Sequence, residues 1–172
     1  GLTYGWLAGG LIRRVTGRSV GRFFSEEIAL PLDISAWIGL PAELDGRVAE
    51  LEHAPNWVSS ATPEMLAGDD LLATVWNNPL ILGDEIMWNR PDFRRSEIPG
   101  AGGIASAWAM ARFYGCLALD GTLDGVQLMS AETLQLGLRM RSDRLDPLQN
   151  DYPHVFATGF QLQNSPGIYG PP

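Results

Sequence analysis

The glycine-rich segment GAGGIA at residues 100–105 comes nearest to a chemical motif in this sequence. It fits the pattern G-x-G-x-x-A, in which a buried strand brings a dinucleotide's pyrophosphate to the N-terminus of the following helix. Residues 94–99, RRSEIP, precede it here, and a segment with these charges and a proline is not a central strand. Asp120 follows at a suitable distance for a ribose-binding acid, but it lies in a turn that ends a helix. The sequence therefore predicts that the glycine-rich segment is a turn whose backbone approaches another group closely.

Two side chains are candidates for nucleophilic catalysis, and both fit a structural role better. Ser106 lies in GIASA, which misses the spacing of the G-x-S-x-G nucleophile elbow, so we expect it to cap the following helix. Cys116 lies on the same helical side as Met110, Phe113 and Leu117, which predicts core packing. The sequence contains no lysine, so a Ser-x-x-Lys nucleophile cannot form within it.

Metal binding is not indicated by the spacing of potential ligands. His53 and His154 are far apart in sequence, and neither belongs to a histidine-rich pattern. The acid pairs Asp69-Asp70 and Asp84-Glu85 consist of neighbours, which point to different faces of a helix. We therefore expect solvated surface at these positions, and neither a metal nor another cofactor.

Composition limits the classes of function. The chain has 172 residues, 45% of them hydrophobic, which is enough for one domain with a core. All 12 basic residues are arginine, against 20 acidic residues, and the formal net charge is −8. An acidic surface repels phosphates, so nucleic acid is not an expected partner. No apolar run approaches the roughly 18 residues that a membrane span requires, and the single cysteine excludes an internal disulfide.

Hydrophobic spacing and capping residues predict a mostly helical chain. The predicted helices cover residues 2–15, 19–30, 62–76, 106–119 and 130–138, and the strand candidates cover residues 36–39, 47–51, 126–129 and 154–163. Residues 78–98, with short helical turns, and residues 142–153 are expected to be loops. Gly5, Gly9 and Gly10 each weaken the first helix by about 1 kcal/mol relative to alanine. We therefore expect this helix to be buried, with another backbone packed close to it.

Three segments, in this order, resemble one enzyme family. They are GLTYGWLAGGLIRRVTGRS at residues 1–19, with Phe23-Phe24 and IALPL at 28–32 after it, IPGAGGIAS at 98–106, leading into MARFY at 110–114, and LDGTLDGVQLMS at 119–130. Over most of its length the chain is similar to the serine β-lactamase-related hydrolases, and residues 45–95 match only loosely. That family comprises class C β-lactamases, D-alanyl-D-alanine carboxypeptidases and family VIII carboxylesterases, and the esterase-like branch is the most similar.

The resemblance implies an α+β fold of the β-lactamase and penicillin-binding-protein type. Residues 1–172 are then an internal fragment of a single domain, mostly helical, with one or a few strands. The family's Ser-x-x-Lys nucleophile precedes Gly1 in this register, and its His/Lys-x-Gly motif follows Pro172. Gly1 occupies the third position of the Tyr-x-Asn-like motif, so the tyrosine of that motif is expected two positions before Gly1. No catalytic residue is therefore expected within the chain. In a competing register, Tyr4 takes the role of the motif's tyrosine.

The resemblance also implies which residues bind substrate. Matching the MARFY helix places Ala101 where class C β-lactamases have an aromatic residue that covers the substrate. A small side chain there, beside Gly102-Gly103, opens the cleft to a bulkier or more apolar acyl group; the alternative is a tight turn alone. Together with Gly1, these are the expected substrate-binding residues. Trp76 and Trp88 are candidates either for the mouth of the cleft or for the core.

The implied function is that of a serine hydrolase acting on carboxylic esters through an acyl-serine intermediate, with β-lactams or D-alanyl peptides as further substrate classes. Gly1 in place of the family's Asn favours esters over lactams. The alternatives are a non-catalytic binding or assembly module of the same fold and a free-standing helical adaptor. The expected partner is a small-molecule ester or amide, and the oligomeric state is left open. The cytoplasm is expected rather than secretion, although any secretion signal would precede Gly1.

Overall fold

The computed structural model describes residues 2–57, 86–146, 152–153 and 155–162. Within these ranges the helices are α1 (Leu2–Thr16), α2 (Val20–Phe24), α3 (Pro91–Arg95), α4 (Ala107–Ala118) and α5 (Ala131–Leu138), with a π-helix at Ser25–Ala29 and 3-10 helices at Ala42–Arg47 and Met87–Asn89. The strands are β1 (Ala36–Ile38), β2 (Gly103–Ala105), β3 (Thr122–Leu123), β4 (Val126–Gln127), β5 (Leu145–Asp146) and β6 (Tyr152–Pro153). The chain divides into two compact units, residues 1–115 and 116–172. None of the described helices combines the length and apolar character needed to cross a bilayer.

Helix α1 confirms the first predicted helix. It ends where the Gly17 amide donates a hydrogen bond to the Arg13 carbonyl at 2.9 Å. Arg13 and Arg14 lie in its last turn, where cations face the negative end of the helix dipole. The local signals of the sequence, a glycine stop after basic residues, are therefore sufficient to place this end.

The glycines of α1 allow a close backbone approach, as predicted, but on one side of the helix only. A Cβ at Gly5 would lie 2.8 Å from the Pro99 carbonyl carbon and would also overlap the Gly100 backbone. The prediction that α1 is buried is wrong for the described residues, in which Leu7 and Val15 are 71% and 76% exposed. The described parts of the chain cover only the stripe of α1 that contains Gly5, and apolar side chains on its other sides remain exposed.

Helix α2 begins as predicted at Ser19, whose Oγ accepts a hydrogen bond from the Arg22 amide at 3.3 Å. The helix then continues as the π-helix, so the predicted helical segment is confirmed with a wider last part. Arg22 Nε and Arg18 Nη1 lie 2.7 and 2.9 Å from the carboxylate oxygens of Glu26. Hydrogen bonds from Arg22 and then Arg18 hold the pKa of the Glu26 carboxyl below its ordinary value.

Strands β1 and β2 form an antiparallel pair in which Trp37 lies opposite Ile104. Strand β1 confirms the candidate at residues 36–39, whereas β2 lies in the segment that the sequence predicts as a turn entering a helix. In α4, Arg112 Nε donates to the Leu32 carbonyl at 3.2 Å and ties the helix to the segment before β1. The buried apolar residues described in this unit are Ala29, Leu32, Ile34, Ala36, Leu40 and Ala109.

The strand predicted at residues 47–51 is wrong. A 3-10 helix ends at Arg47, and the residues after it have no strand partner. The Leu51 amide and carbonyl instead bond to the Asn89 side-chain amide, at 2.8 Å each. Because one side chain occupies both backbone groups, no ladder forms there. The predicted helix at residues 62–76 lies outside the described residues.

In the first unit, the described part of the loop predicted at residues 78–98 contains short helical turns, as expected. In the second unit, β3 and β4 form a hairpin whose second strand confirms the candidate at residues 126–129. Helix α5 begins as predicted at Ser130, whose Oγ accepts from the Thr133 amide at 3.1 Å. Cys116 is fully buried, which agrees with the predicted core position.

Two predictions for the last part of the chain are wrong. Residues 142–153, expected as a loop, contain the antiparallel pair β5–β6. The strand predicted at residues 154–163 is not continuous over its described part, residues 155–162. Phe156 forms a bridge with Gln161 a few residues later, so the segment folds back on itself and cannot extend. The β-branched and aromatic content of this segment favours a strand, but the turn between Phe156 and Gln161 prevents one continuous strand.

The substitutions Gly5→Ala and Gly10→Ala test the close contact of α1. We expect Gly5→Ala to lower the free energy of unfolding by about 2 kcal/mol, because its methyl group overlaps backbone atoms. Gly10→Ala is the matched control, since a Cβ there meets nothing within 4 Å in the described structure. That variant is expected to gain up to about 1 kcal/mol from helix propensity. Urea denaturation measures both, and equal stabilities of the two variants would contradict the contact.

Candidate functional site

A cavity of about 500 Å³ opens in the first unit, a volume within the range of small-molecule sites. Three stretches of the described chain line it: the residues after the 3-10 helix at Ala42–Arg47, the segment that includes α3, and the turn that enters β2. Its lining residues are Val48, Ala49, Leu51, Trp88, Asn89, Phe93, Arg94, Ala101, Gly102, Gly103, Ile104 and Ala105. Sequence-distant segments therefore meet at one concave surface.

One wall of the cavity is the turn at residues 98–102. The Ile98 carbonyl accepts hydrogen bonds from the amides of Ala101 at 3.1 Å and Gly102 at 2.7 Å. Gly102 is buried, and a Cβ there would lie 3.0 Å from the Ile98 Cβ, whereas Ala101 and Gly103 are exposed. The structure thus brings the predicted residues Ala101, Gly102 and Gly103 together on the cavity lining, and their role in substrate binding stays a prediction.

The other wall carries the aromatic side chains of the cavity. Trp88 is half-buried and meets Phe93 edge to face, with ring centroids 6.0 Å apart and an interplanar angle of 85°. Asn89 holds the facing segment by the two hydrogen bonds to the Leu51 backbone. Of the two tryptophan candidates, Trp88 lines the cavity, and Trp76 lies outside the described residues.

Arg94 is a buried cation in the cavity wall, with 7% of its surface exposed. Its Nε donates to the Trp88 carbonyl at 3.2 Å, and its Nη1 lies 3.4 Å from Asp45 Oδ1. Its carbonyl accepts from the Leu40 amide at 2.7 Å. Within the described residues its Nη2 is buried without a hydrogen-bond partner. Arg94 therefore joins α3 to the 3-10 helices on either side of the cavity.

An exposed ion pair marks the start of α3. Arg90 Nη2 lies 2.7 Å from Asp92 Oδ2, and this hydrogen bond holds the pKa of the Asp92 carboxyl below its ordinary value. Since both side chains are largely in solvent, the pair contributes little to stability.

The other sequence candidates that the structure describes are not among the lining residues of the cavity. Gly1 is outside the described residues, and Tyr4 is 57% exposed on α1. Ser106 is a helix cap, as predicted: its Oγ accepts from the Ala109 amide at 3.0 Å. His53 is exposed and stacks on Trp57, with ring centroids 3.7 Å apart.

Metal ligands do not cluster in the part of the chain that the structure describes. No group of three or more His, Cys, Asp or Glu side chains is positioned there to hold an ion. His154 and the acid pairs Asp69-Asp70 and Asp84-Glu85 lie outside the described residues. The solvated state predicted for the acid pairs therefore stays a prediction.

Sequence reasoning missed Asn89, Arg94 and the segment at residues 48–51. The pair Pro91-Asp92 is a helix-start signal of proline followed by an acid, and it would have located α3. It would not have separated buried Arg94 from exposed Arg95, because which of two adjacent arginines is covered depends on packing between distant segments.

Replacing Arg94 and Arg95 in turn tests whether the buried contacts of Arg94 stabilise the fold. We expect Arg94→Ala to lower the free energy of unfolding by about 3 kcal/mol, because it leaves Asp45 without its cation and opens a cavity. Arg95→Ala removes an exposed side chain from the same helix, and we expect a change within about 0.5 kcal/mol. Thermal denaturation measures both variants. A loss for Arg94→Ala no larger than that for Arg95→Ala would show that the buried contacts contribute nothing.

Almost the whole chain matches a known protein family, both by the family model and by sequence identity to a relative. The family model described as Beta-lactamase matches residues 1–171. The "Esterase/beta-lactamase LipL" of Mycobacterium tuberculosis is 34% identical over 160 residues, which cover 87% of this chain and 36% of that protein. Both findings concern the same family that the sequence segments resemble.

Solved structures give the same result for the fold. A penicillin-binding protein homologue from Caulobacter crescentus has a TM-score of 0.74 and 35% identity, and the match covers 99% of this chain and 43% of that one. A family VIII carboxylesterase has a TM-score of 0.69 and 32% identity, with coverage of 95% and 41%. The chain thus spans less than half the length of these relatives, and the predicted α+β fold of the β-lactamase and penicillin-binding-protein type is confirmed. The chain belongs to the beta-lactamase family, in the group that contains esterases and penicillin-binding-protein homologues.

Proposed function

We propose that this chain forms the acyl-binding side of a serine hydrolase that cleaves carboxylic esters through an acyl-serine intermediate. The observation that carries the proposal is the cavity wall at residues 101–103, where alanine and glycines leave room for an acyl group. The names of two relatives support the ester class, since one is an esterase/beta-lactamase and the other a family VIII carboxylesterase. The proposal concerns the whole protein, of which this chain supplies one side of the site.

The side chains of the cavity favour a hydrocarbon acyl group. Apolar side chains of Val48, Leu51, Trp88, Phe93 and Ile104 dominate its lining. Burial of each methylene group is worth about 0.8 kcal/mol. An acyl chain of several carbons that enters the cavity therefore gains binding free energy with each added carbon until the space is filled.

Few polar side-chain atoms of the described lining are open to a ligand. Asn89 bonds through both ends of its amide to Leu51. Arg94 directs Nε to the Trp88 carbonyl and Nη1 to Asp45, and its Nη2, which has no hydrogen-bond partner among the described residues, is buried. Apolar contact is left as the main means of recognition, which suits the acyl chain of an ester better than the charged carboxylate of a β-lactam.

The reaction requires a nucleophile and a base that we assign to the part of the protein outside this chain, because a Ser-x-x-Lys motif needs a lysine and this chain has none. The serine oxygen bonds to the ester carbonyl carbon, the alcohol leaves with a proton, and water then releases the acid. In this scheme the cavity residues hold the acyl group against the serine and exclude bulk water. Tyr4 stays the one candidate within the chain for the family's tyrosine.

Hydrolysis of p-nitrophenyl esters of increasing acyl length by the full-length protein tests the proposal. We expect kcat/KM to rise by up to roughly fourfold per methylene until the cavity is filled, because each methylene is buried. Ala101→Phe places a ring in the cavity, and we expect the ratio of kcat/KM between octanoate and acetate to fall at least about tenfold.

Ala107→Phe is the control for that variant, because it adds the same ring at an exposed position of α4 that does not line the cavity. Its octanoate-to-acetate ratio should match that of the unmodified protein. Absence of ester hydrolysis would overturn the proposed activity and would favour a non-catalytic module of the same fold. If the protein hydrolyses esters and Ala101→Phe leaves the octanoate-to-acetate ratio of kcat/KM unchanged, the acyl group does not bind in this cavity.

A further inference from the structure

The geometry points to Glu97 as a positioning residue that fixes the substrate-facing turn at residues 98–102 to the start of helix α2. The inference rests on the proposed function for its catalytic consequence, but the tether itself is a structural feature that is measured without substrate. Glu97 does not line the cavity. It acts through the turn that follows it directly in the chain.

Both oxygens of the Glu97 carboxylate are held by the beginning of α2. Ser19 Oγ donates to Oε1 at 2.6 Å, and the Gly21 amide donates to Oε2 at 3.0 Å. Ser19 also accepts from the Arg22 amide, so one serine both caps the helix and fixes the carboxylate. Hydrogen bonds to an ionised group are stronger than neutral ones, so this pair forms a firm connection between segments far apart in sequence.

Two glycines make room for the Glu97 side chain. A Cβ at Gly21 would overlap the Ile38 carbonyl oxygen and lie 2.7 Å from Glu97 Oε1, and a Cβ at Gly39 would lie 3.0 Å from Glu97 Cγ. Gly21 is at the start of α2, and Gly39 directly follows β1. The side chain therefore passes through a slot between helix and strand that any larger residue at either position would narrow.

The anchor is next to the turn that forms the cavity wall. Ile98 follows Glu97, and its carbonyl accepts the hydrogen bonds from the amides of Ala101 and Gly102. Pro99 and Gly100 lie against α1 at Gly5. The turn is thus fixed at its beginning by Glu97, in its middle by α1 and at its end by β2. Loss of the first of these restraints should loosen the hydrogen bonds of the turn before it affects distant elements.

Hydrogen exchange of the full-length protein, measured by mass spectrometry on peptides covering residues 98–104, tests the tether. Because opening of the turn exposes the Ala101 and Gly102 amides, we expect Glu97→Ala to speed exchange there about tenfold. Glu97→Gln and Ser19→Ala each remove part of the connection, and we expect about threefold in each. These milder variants decide the question if Glu97→Ala does not fold.

Glu26→Ala is the matched control, because it removes a carboxylate from the same corner of the structure together with its pairs to Arg18 and Arg22. Exchange over residues 98–104 should stay within about twofold of the unmodified protein in this variant. The inference is overturned if Glu97→Ala also stays within that limit. It is overturned equally if exchange rises uniformly in all peptides, because a local tether predicts a local change.

The kinetic consequence separates the inference from the proposed function. A loosened wall discriminates less between acyl groups, so we expect the octanoate-to-acetate ratio of kcat/KM to fall about threefold in Glu97→Ala and less in Glu97→Gln. If the unmodified full-length protein hydrolyses neither ester, the proposed function fails, and the exchange rates still decide whether Glu97 holds the turn.

Discussion

Backbone contact between helix α1 and the turn at residues 98–102 is the constraint on which the cavity depends. Gly5 permits it, because a Cβ there would lie 2.8 Å from the Pro99 carbonyl carbon. The turn then closes on the Ile98 carbonyl and passes into β2, which pairs with β1. The position of Ala101 on the cavity lining therefore depends in part on a glycine in a distant helix.

The remaining walls depend on polar groups that hold the backbone and leave apolar surface toward the cavity. The Asn89 amide replaces the ladder hydrogen bonds that Leu51 would make in a strand. Arg94 connects the Trp88 carbonyl with Asp45 while it remains almost fully buried. The polar groups bond to other parts of the protein, and the apolar side chains face the cavity. An acyl chain in the cavity would therefore contact chiefly carbon atoms.

Much of the helical structure could be predicted from the sequence, because its signals are local. Ser19 and Ser130 are caps that a reader of the sequence can find from a few neighbouring residues. Strand β2 could not be found in this way, because its partner lies far away in the chain and its own residues look like a turn. The same limit applies to the site. Residues 101–103 were identified through the family resemblance, whereas Arg94 owes its burial to packing that no short pattern encodes.

If the proposed function is correct, the acyl group of a serine-bound ester occupies this cavity. The most direct test is a crystal structure of the full-length protein after reaction with an octyl phosphonate carrying a p-nitrophenyl leaving group, which bonds to an active-site serine. We expect a phosphorus–serine bond with the octyl chain in van der Waals contact with Ala101 and Trp88. Absence of an adduct, or an octyl chain that lies outside the cavity, would contradict this expectation.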